Sequence, residues 1–267
     1  MNVIEHQAHL NADVWRHGDF VHAYATRELR PAETLLLERH RRELSGRVLE
    51  LGCGAGRLTG HLAEISREVH GVDLSPAMVD YCRRTYPNAD FTVGDLRDLS
   101  AFASGSLEVV VAPFNVIDVL DDSERRRVLR EIARVLAEPG LLIFSSHNLH
   151  YAPSIARPTR IEERTPRGVA RSLRGLLRRV RNRRRLAPLQ RRERDYAVLV
   201  DEAHDFSLLH YYIARDAQAR QLAEEGYELL ECLSLAGRPV GPGDTCADCS
   251  ELYYVARPQA PGSPERR

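Results

Sequence analysis

The chain reads as an α/β protein built on a doubly wound, mostly parallel sheet, and three observations predict this. Residues 48–56, Val-Leu-Glu-Leu-Gly-Cys-Gly-Ala-Gly, are a buried-strand pattern that breaks into glycines and opens a helical pattern. Seventeen residues after Gly56, a second apolar run, Val69-His70-Gly71-Val72-Asp73, ends in an acid. Apolar runs then keep alternating with helical stripes as far as Phe144. Such alternation implies parallel strands with helices on both faces, and ligands at the carboxyl ends of the strands.

Taken in order, residues 31–44 carry Leu35, Leu36, Leu37 and Leu44 among charges behind Pro31, which predicts an amphipathic helix packed outside the sheet. Arg47–Leu51 is the first strand, 55–66 a helix and 69–73 the second strand. Ser75 and Pro76 supply an N-cap and a first-turn proline for a helix reaching Arg84. Residues 91–93 form a short third strand ending at Gly94-Asp95, and Leu107–Ala112 forms the fourth. Residues 122–137 place Val128, Leu129, Ile132, Val135 and Leu136 on one helical stripe, which Pro139-Gly140 stops before a fifth strand at 141–144. Near the end, 217–226 reads as a helix stopped by glycine, followed by strands at 227–235 and 251–256.

A length of 267 residues suits one α/β domain with an insertion. The 38 basic residues balance 38 acidic ones, and none is Lys, which excludes Schiff-base chemistry. The first thirteen residues are polar and no apolar run approaches 18, so neither a signal peptide nor a membrane span is expected, and the protein is expected to be cytoplasmic. Five cysteines, an odd number, point to reduced thiols. Cys246 and Cys249 form a lone Cys-x-x-Cys, expected to be a surface loop rather than a metal site, and no metal is expected. Cys53 reads as a small packing residue.

The glycine spacing bears on the ligand. A pyrophosphate site wants Gly-x-Gly-x-x-Gly, whereas Arg57 stands where the third glycine would fall. Glu50 would repel a phosphate and favour a cation, such as a sulfonium with a free amino group. The stretch resembles the first motif of the class I S-adenosylmethionine (SAM)-dependent methyltransferases. Asp73-Leu74-Ser75-Pro76-Ala77-Met78 resembles their second motif, and Gly94-Asp95-Leu96 their third; residues 134–140 resemble the turn into strand five, with Leu141 where a second glycine is common. The resemblance, which covers about residues 30–147 and 207–257, implies a seven-stranded Rossmann-like sheet closed by an antiparallel terminal hairpin. It also implies SAM as cofactor, held by Glu50, Gly52, Gly54, Gly56, Asp73, Leu74, Met78, Asp95 and Leu96. In it Asp73 holds the ribose hydroxyls, Met78 packs on adenine and Asp95 accepts from the adenine amino group.

Acceptor contacts are expected from the stretches after strands four and five, with Phe114, Asn115 and His147 as candidates. A second group lies at His204, His210, Tyr211 and Tyr212. Methyl transfer is an in-line displacement, so alignment and proton removal are the protein's tasks, and an imidazole suits the second. His147 and His204 are therefore the candidate catalytic residues. His147 could equally cap a strand, and residues 208–213 could be a two-faced structural strand. The Pro113-Phe114-Asn115 segment lacks the signature of methyltransferases acting on exocyclic base amines. Residues 157–194 hold 15 Arg against three Glu, so the rest of the chain carries a net charge of −12. Thr165 and Pro166 start a helix with Val169, Leu173, Leu176, Leu177 and Val180 on one face.

The expected organisation is an N-terminal segment, 1–30, that caps the substrate; a SAM-binding core, 31–150; an Arg-rich insert or lid, 151–206; the remainder of the core, 207–257; and a disordered tail, 258–267. The expected activity is methyl transfer to an O or N atom of a small metabolite. The alternatives are a non-catalytic SAM-binding partner subunit, or a methyltransferase on RNA or a lipid-linked glycan. The Arg-rich helix has three readings: a lid, a dock for an anionic membrane or lipid-linked substrate, or a grip on phosphates. Its lack of aromatics argues against stacking on nucleic-acid bases.

Overall fold

The computed structural model describes residues 3–17, 21–25, 27–151 and 166–259. Four helices come first, α1 (Val3–His17), α2 (Val21–Ala25), α3 (Pro31–Arg39) and α4 (Arg41–Leu44). Then follow β1 (Arg47–Leu51), α5 (Thr59–Ile65), β2 (Glu68–Asp73), α6 (Pro76–Thr85), β3 (Asp90–Val93), β4 (Leu107–Ala112), α7 (Asp122–Val135) and β5 (Leu136–Asn148). The chain continues through α8 (Pro166–Leu186), β6 (Arg191–Arg192), β7 (Tyr196–Val200), β8 (Leu209–Ile213), α9 (Arg215–Glu224), β9 (Tyr227–Ser234) and β10 (Glu251–Pro258).

Seven strands lie in the order β3-β2-β1-β4-β5-β10-β9, parallel as far as β5 and then antiparallel through β10 and β9. This is the Rossmann-like sheet with its terminal hairpin that the sequence implies. Alternate side chains of the central strands serve two cores. Leu49, Leu51, Val110 and Ala112 pack with Val128, Leu129, Ile132 and Val135 of α7. Val48, Val109 and Val111 pack with Leu36, Leu44 and Leu62 from α3, α4 and α5.

Several elements differ from the sequence pattern, each for a local reason. The helix expected at 31–44 breaks at His40 (φ −103°, ψ 23°), whose imidazole bonds Glu231 at 2.8 Å. The helix expected at 55–66 starts only at Thr59, because the chain through Gly52, Gly54 and Gly56 has positive φ. Ser75 occupies the N-cap position but makes no side-chain cap bond; the carboxylate of Asp73 accepts from its N–H instead. The fifth strand runs from Leu136 to Asn148, well beyond 141–144. It gains hydrogen-bonding partners on both edges, β4 along 136–144 and β10 along 142–147.

That extension carries Ser145 to Asn148 into the strand and exposes a free edge past the end of β4. There β8 pairs parallel with His147 and Asn148, while Glu251 of β10 pairs His147 from the other side. β7 pairs antiparallel with β8, and β6 antiparallel with β7. The segment 209–213, expected with the C-terminal part of the core, thus forms a three-stranded extension with strands from the insert. It stands over the carboxyl end of the sheet. Pro258 belongs to β10, and residues 260–267 of the expected tail lie outside the described residues, as do 152–165 of the insert, including Thr165. Cys246 and Cys249, expected on a surface loop, are buried.

Candidate active site

The carboxyl ends of β1, β2, β4 and β5 open on one cavity of about 490 Å³. At one end the glycine loop sets its floor. Gly54 has φ +53°, and a Cβ added there would meet no atom within 4 Å, so its backbone presents an open cradle. Its N–H donates to Asp73 Oδ2 at 2.8 Å, and Ser75 N–H donates to Oδ1 at 2.8 Å, which fixes that carboxylate at the strand end. Burial pushes the Asp73 carboxyl up, against the pull of these N–H groups.

Glu50 is 1% exposed and accepts from Thr59 Oγ1 at 2.5 Å. Burial raises its pKa to about 7, only partly opposed by that bond and by the Arg57 charge. A buried carboxylate in this state is poised for a cationic ligand. Asp95 is clamped by Arg97, which gives it two side-chain bonds and a backbone one and also reaches Glu124 at 2.6 Å. Burial pushes the Asp95 carboxyl up, but Arg97 outweighs it and the net shift is downward. A carboxylate offers about four acceptor positions, so Asp95 keeps room for one more donor. Leu74, Met78 and Leu96 complete this end.

Gly56 does not line the cavity. Its Cβ would lie 2.3 Å from Tyr86 Cε2, so this glycine serves the packing of Tyr86 behind the loop.

At the other end the turn after β4 places Phe114 and Asn115, both with φ near +57°, a strained pair of the kind found at functional sites. Asn115 is fixed by its N–H to Ser145 Oγ (2.8 Å) and its Nδ2 to Glu251 Oε2 (3.2 Å). Its buried Oδ1 has no hydrogen-bond partner among the described residues.

Beneath lies Asp118, 0% exposed, which accepts from Arg125, from Ser146 Oγ (2.8 Å), from His147 N–H (2.7 Å) and from His147 Nδ1 (2.7 Å). With Nδ1 on the carboxylate, Nε2 is the nitrogen that His147 can offer the cavity. Burial pulls the His147 pKa down, but the Asp118 bond and charge outweigh it and the net shift is upward. Burial likewise pushes Asp118 up, and Arg125 and His147 reverse it.

A second imidazole repeats the arrangement. His210 Nδ1 lies 2.6 Å from Asp201 Oδ2, Tyr212 Oη donates to the same oxygen at 2.7 Å, and the His147 and His210 rings stack at 5.0 Å. His147, Asp201 and His210 bring potential metal-ligand atoms within 4.8 Å of one another, as do Cys246, Asp248 and Cys249. In the first group each imidazole already has a carboxylate partner on Nδ1, the geometry of oriented bases.

The structure brings Phe114, Asn115, His147, His204 and His210 to the cavity wall, together with every expected cofactor residue except Gly56. Tyr211 lies on the other face of β8. It is fully buried, donates to Asp122 Oδ1 at 2.6 Å and stacks on Tyr196, so it belongs to a core rather than to the site. Tyr212 stands behind His147, its ring 4.8 Å away, and holds Asp201.

His204 sits in a run of three positive-φ residues, His204 to Phe206, and pairs Nε2 with Tyr24 Oη at 3.0 Å. Burial lowers its pKa, and the charges of His210 and Arg27 add to the shift, so it stays neutral near pH 7. The described residues of α8 do not line the cavity, and Leu173, Leu176, Leu177 and Val180 point into solvent. This is not the arrangement of a lid whose apolar face covers the site.

Sequence reasoning missed Trp15, Tyr24 and Arg27, which wall the cavity from the N-terminal segment, and the positioning roles of Asp118, Arg125 and Asp201. Asn11 anchors that segment. Its Nδ2 donates to Val119 O and Leu209 O, both at 2.7 Å, and its Oδ1 accepts from Leu209 N. An Asn-Ala pair between a Leu and an Asp on a polar helix carries no signal for such a role.

Residues 48–140 match a family model described as a methyltransferase domain. The chain is 39% identical over 101 residues to a Mycobacterium tuberculosis protein named "Probable S-adenosylmethionine-dependent methyltransferase", covering 38% of this chain and 35% of that one. It is 32% identical over 113 residues to the ubiquinone biosynthesis O-methyltransferase of Xanthomonas oryzae, covering 40% and 46%. The chain thus spans less than half the length of these curated relatives.

In fold it resembles the 1,6-didemethyltoxoflavin-N1-methyltransferase of Burkholderia thailandensis, whose structure holds 1,6-didemethyltoxoflavin and S-adenosylhomocysteine. The TM-score is 0.59 at 14% identity, over 97% of this chain and 92% of that one. The residues present fit SAM. Gly54 leaves a cradle open, Asp73 has lone pairs to spare for hydroxyl donors, and Glu50 favours a cation. The matched segment carries all of these, with the strand order to display them at one sheet edge: over residues 48–140 the chain is a methyltransferase domain similar to those of S-adenosylmethionine-dependent methyltransferases, with S-adenosylmethionine as its cofactor.

Proposed function

We propose that the protein transfers a methyl group to an oxygen or nitrogen of a small, ring-bearing metabolite, in the cytoplasm, with His147 as general base. The observation that carries this reading is the Asp118–His147 pair, which opens on the same cavity as the glycine loop. SAM supplies an electrophilic methyl on a sulfonium, so this chain's residues have to align an acceptor and take its proton. Phe114, Trp15, Tyr24 and His204 form an aromatic wall suited to a planar acceptor. Asn115 Oδ1, a buried acceptor without a partner, gains one from an N–H or O–H of the bound molecule.

His147 Nε2 receives the acceptor's proton, and Asp118 steadies the resulting imidazolium. The cavity volume lies within the range of small-molecule sites, about 300–1,000 Å³. The two relatives described above that are named for a reaction carry the names of small ring compounds. The N-terminal segment acts as the substrate cap, since Ala12, Trp15, Tyr24 and Arg27 close the cavity. All five cysteines are free thiols, which suits a reducing compartment.

Two measurements test this reading. Calorimetric titration with SAM and with S-adenosylhomocysteine should show binding that Asp73→Ala weakens. A panel of phenols, hydroxyquinones and heterocyclic amines should yield S-adenosylhomocysteine release with at least one member, and His147→Ala should slow it by about 10² to 10⁴. Binding without turnover of any ring-bearing acceptor would favour a non-catalytic SAM-binding subunit.

A further inference from the structure

We propose that α8 docks the protein on an anionic lipid bilayer, lying in the membrane interface with its leucine stripe inward. At 100° per residue, Leu173, Leu176, Leu177 and Val180 fall within about 100° of arc. All four are exposed, at 56%, 43%, 61% and 41%.

The side of α8 that meets the protein is the polar one. Arg178 pairs with Asp205, Asn182 Nδ2 donates to Asp205 O at 3.0 Å, and Arg179 and Arg183 lie over the Phe206 ring. Leu186, buried in the small core under β7 and β8, pins the C-terminal end. An amphipathic helix normally buries its apolar stripe and leaves its charges in water. Here the mounting is inverted.

Charge identifies the occupant. Nine of the 21 residues of α8 are Arg and none is acidic. Arg174 and Arg181 flank the stripe and Arg184 closes its end, all exposed. A second copy of the chain seated on the stripe would bring two such arginine sets together, an arrangement that electrostatics opposes. A nucleic acid would neutralise the arginines but leave four apolar side chains in water. An anionic bilayer satisfies both faces, with leucines in the acyl boundary and guanidinium groups reaching lipid phosphates. The helix sits on the strained loop that carries His204, a wall residue of the cavity, so a docked helix would hold the active-site mouth close to the lipid surface.

The test is co-sedimentation of the full-length protein with vesicles of phosphatidylcholine alone or mixed with phosphatidylglycerol. Binding is expected to the mixed vesicles only, and to weaken with salt. Arg174→Gln/Arg181→Gln/Arg184→Gln should lower partitioning by about 100-fold, at roughly one factor of five per charge near the surface. Leu173→Gln/Leu177→Gln, which keeps every charge, should lower it by about tenfold or more.

Leu177→Trp supplies a second readout that needs no loss of function. Its emission should shift to the blue with mixed vesicles and stay unshifted with an RNA oligonucleotide. Three outcomes overturn the proposal: no sedimentation with the mixed vesicles, unchanged partitioning of the leucine variant, or a concentration-dependent dimer that the leucine variant abolishes while vesicles bind neither protein.

Discussion

At the residue scale the site is governed by a few buried charges. Glu50 lies where it costs stability. Its folded pKa of about 7 exceeds the ordinary glutamate value of 4.5, so the folded state binds the extra proton between these values. Stability therefore falls as pH rises through this window, and at 1.36 kcal/mol per unit the full cost above pH 7 is about 3 kcal/mol. Glu50→Gln should raise the stability of the ligand-free protein by up to that amount at pH 8 and leave it alone at pH 4, read by denaturant unfolding at both. The same substitution should weaken SAM binding, and the wild-type affinity should fall as pH drops below 7, because only the anion attracts a sulfonium. His147 works in the opposite sense. Its pKa is raised, so the neutral base fills only above the ordinary imidazole range. The acid limb of kcat/KM should therefore sit above pH 6.5, and His147→Ala should cost about 10² to 10⁴ in kcat. The glycines, Glu50, Asp73 and Asp95 were legible because they are close in sequence and carry a spacing. Asp118 was not, because its role comes from Arg125 and from His147, 29 residues away.

At the element scale the strands and helices of the core follow from local pattern, and the departures come from distant partners. The fifth strand outgrew its apolar run because β10 and β8, contributed from more than sixty residues downstream, supplied hydrogen bonds to Ser145 through Asn148. That extension turned His147 from a residue after a strand into one locked within it. On β8 the alternation of a strand settles the pair of tyrosines: His210 and Tyr212 face the site side, whereas Tyr211 enters the core. Tyr211→Phe should cost about 1–3 kcal/mol by leaving Asp122 short of a donor, seen in thermal unfolding, with the acceptor KM unmoved. Asn11→Ala should take the side-chain acceptor from Leu209 N and a donor from Val119 O and Leu209 O, the last keeping only the longer bond from Gln7 Nε2 at 3.4 Å. Faster hydrogen exchange in α1 and a raised acceptor KM are expected, because Ala12 and Trp15 would no longer be held against the cavity.

At the scale of the whole molecule, a neutral chain separates into an arginine-rich insert and an acidic remainder. The two principal core clusters draw on α3, α4, α5, α7 and α9 and on β1, β2, β4, β5, β9 and β10, and neither includes α1 or α2. A chain starting at residue 29 should therefore still unfold cooperatively in denaturant, while its SAM affinity and turnover fall through loss of Trp15, Tyr24 and Arg27 from the cavity wall. Among the described residues no helix is long and apolar enough to cross a membrane, so any attachment through α8 is peripheral. The sequence by itself determined the sheet, the glycine loop and the cofactor, because periodicity, turn chemistry and motif spacing are local properties written in consecutive residues. Only the tertiary structure decided which histidine has a carboxylate behind it, which tyrosine leaves the site, and that the apolar face of the arginine helix turns outward. Those outcomes depend on which edge of β5 stays free and what pairs there, a matter of contacts between residues tens of positions apart that no local pattern encodes.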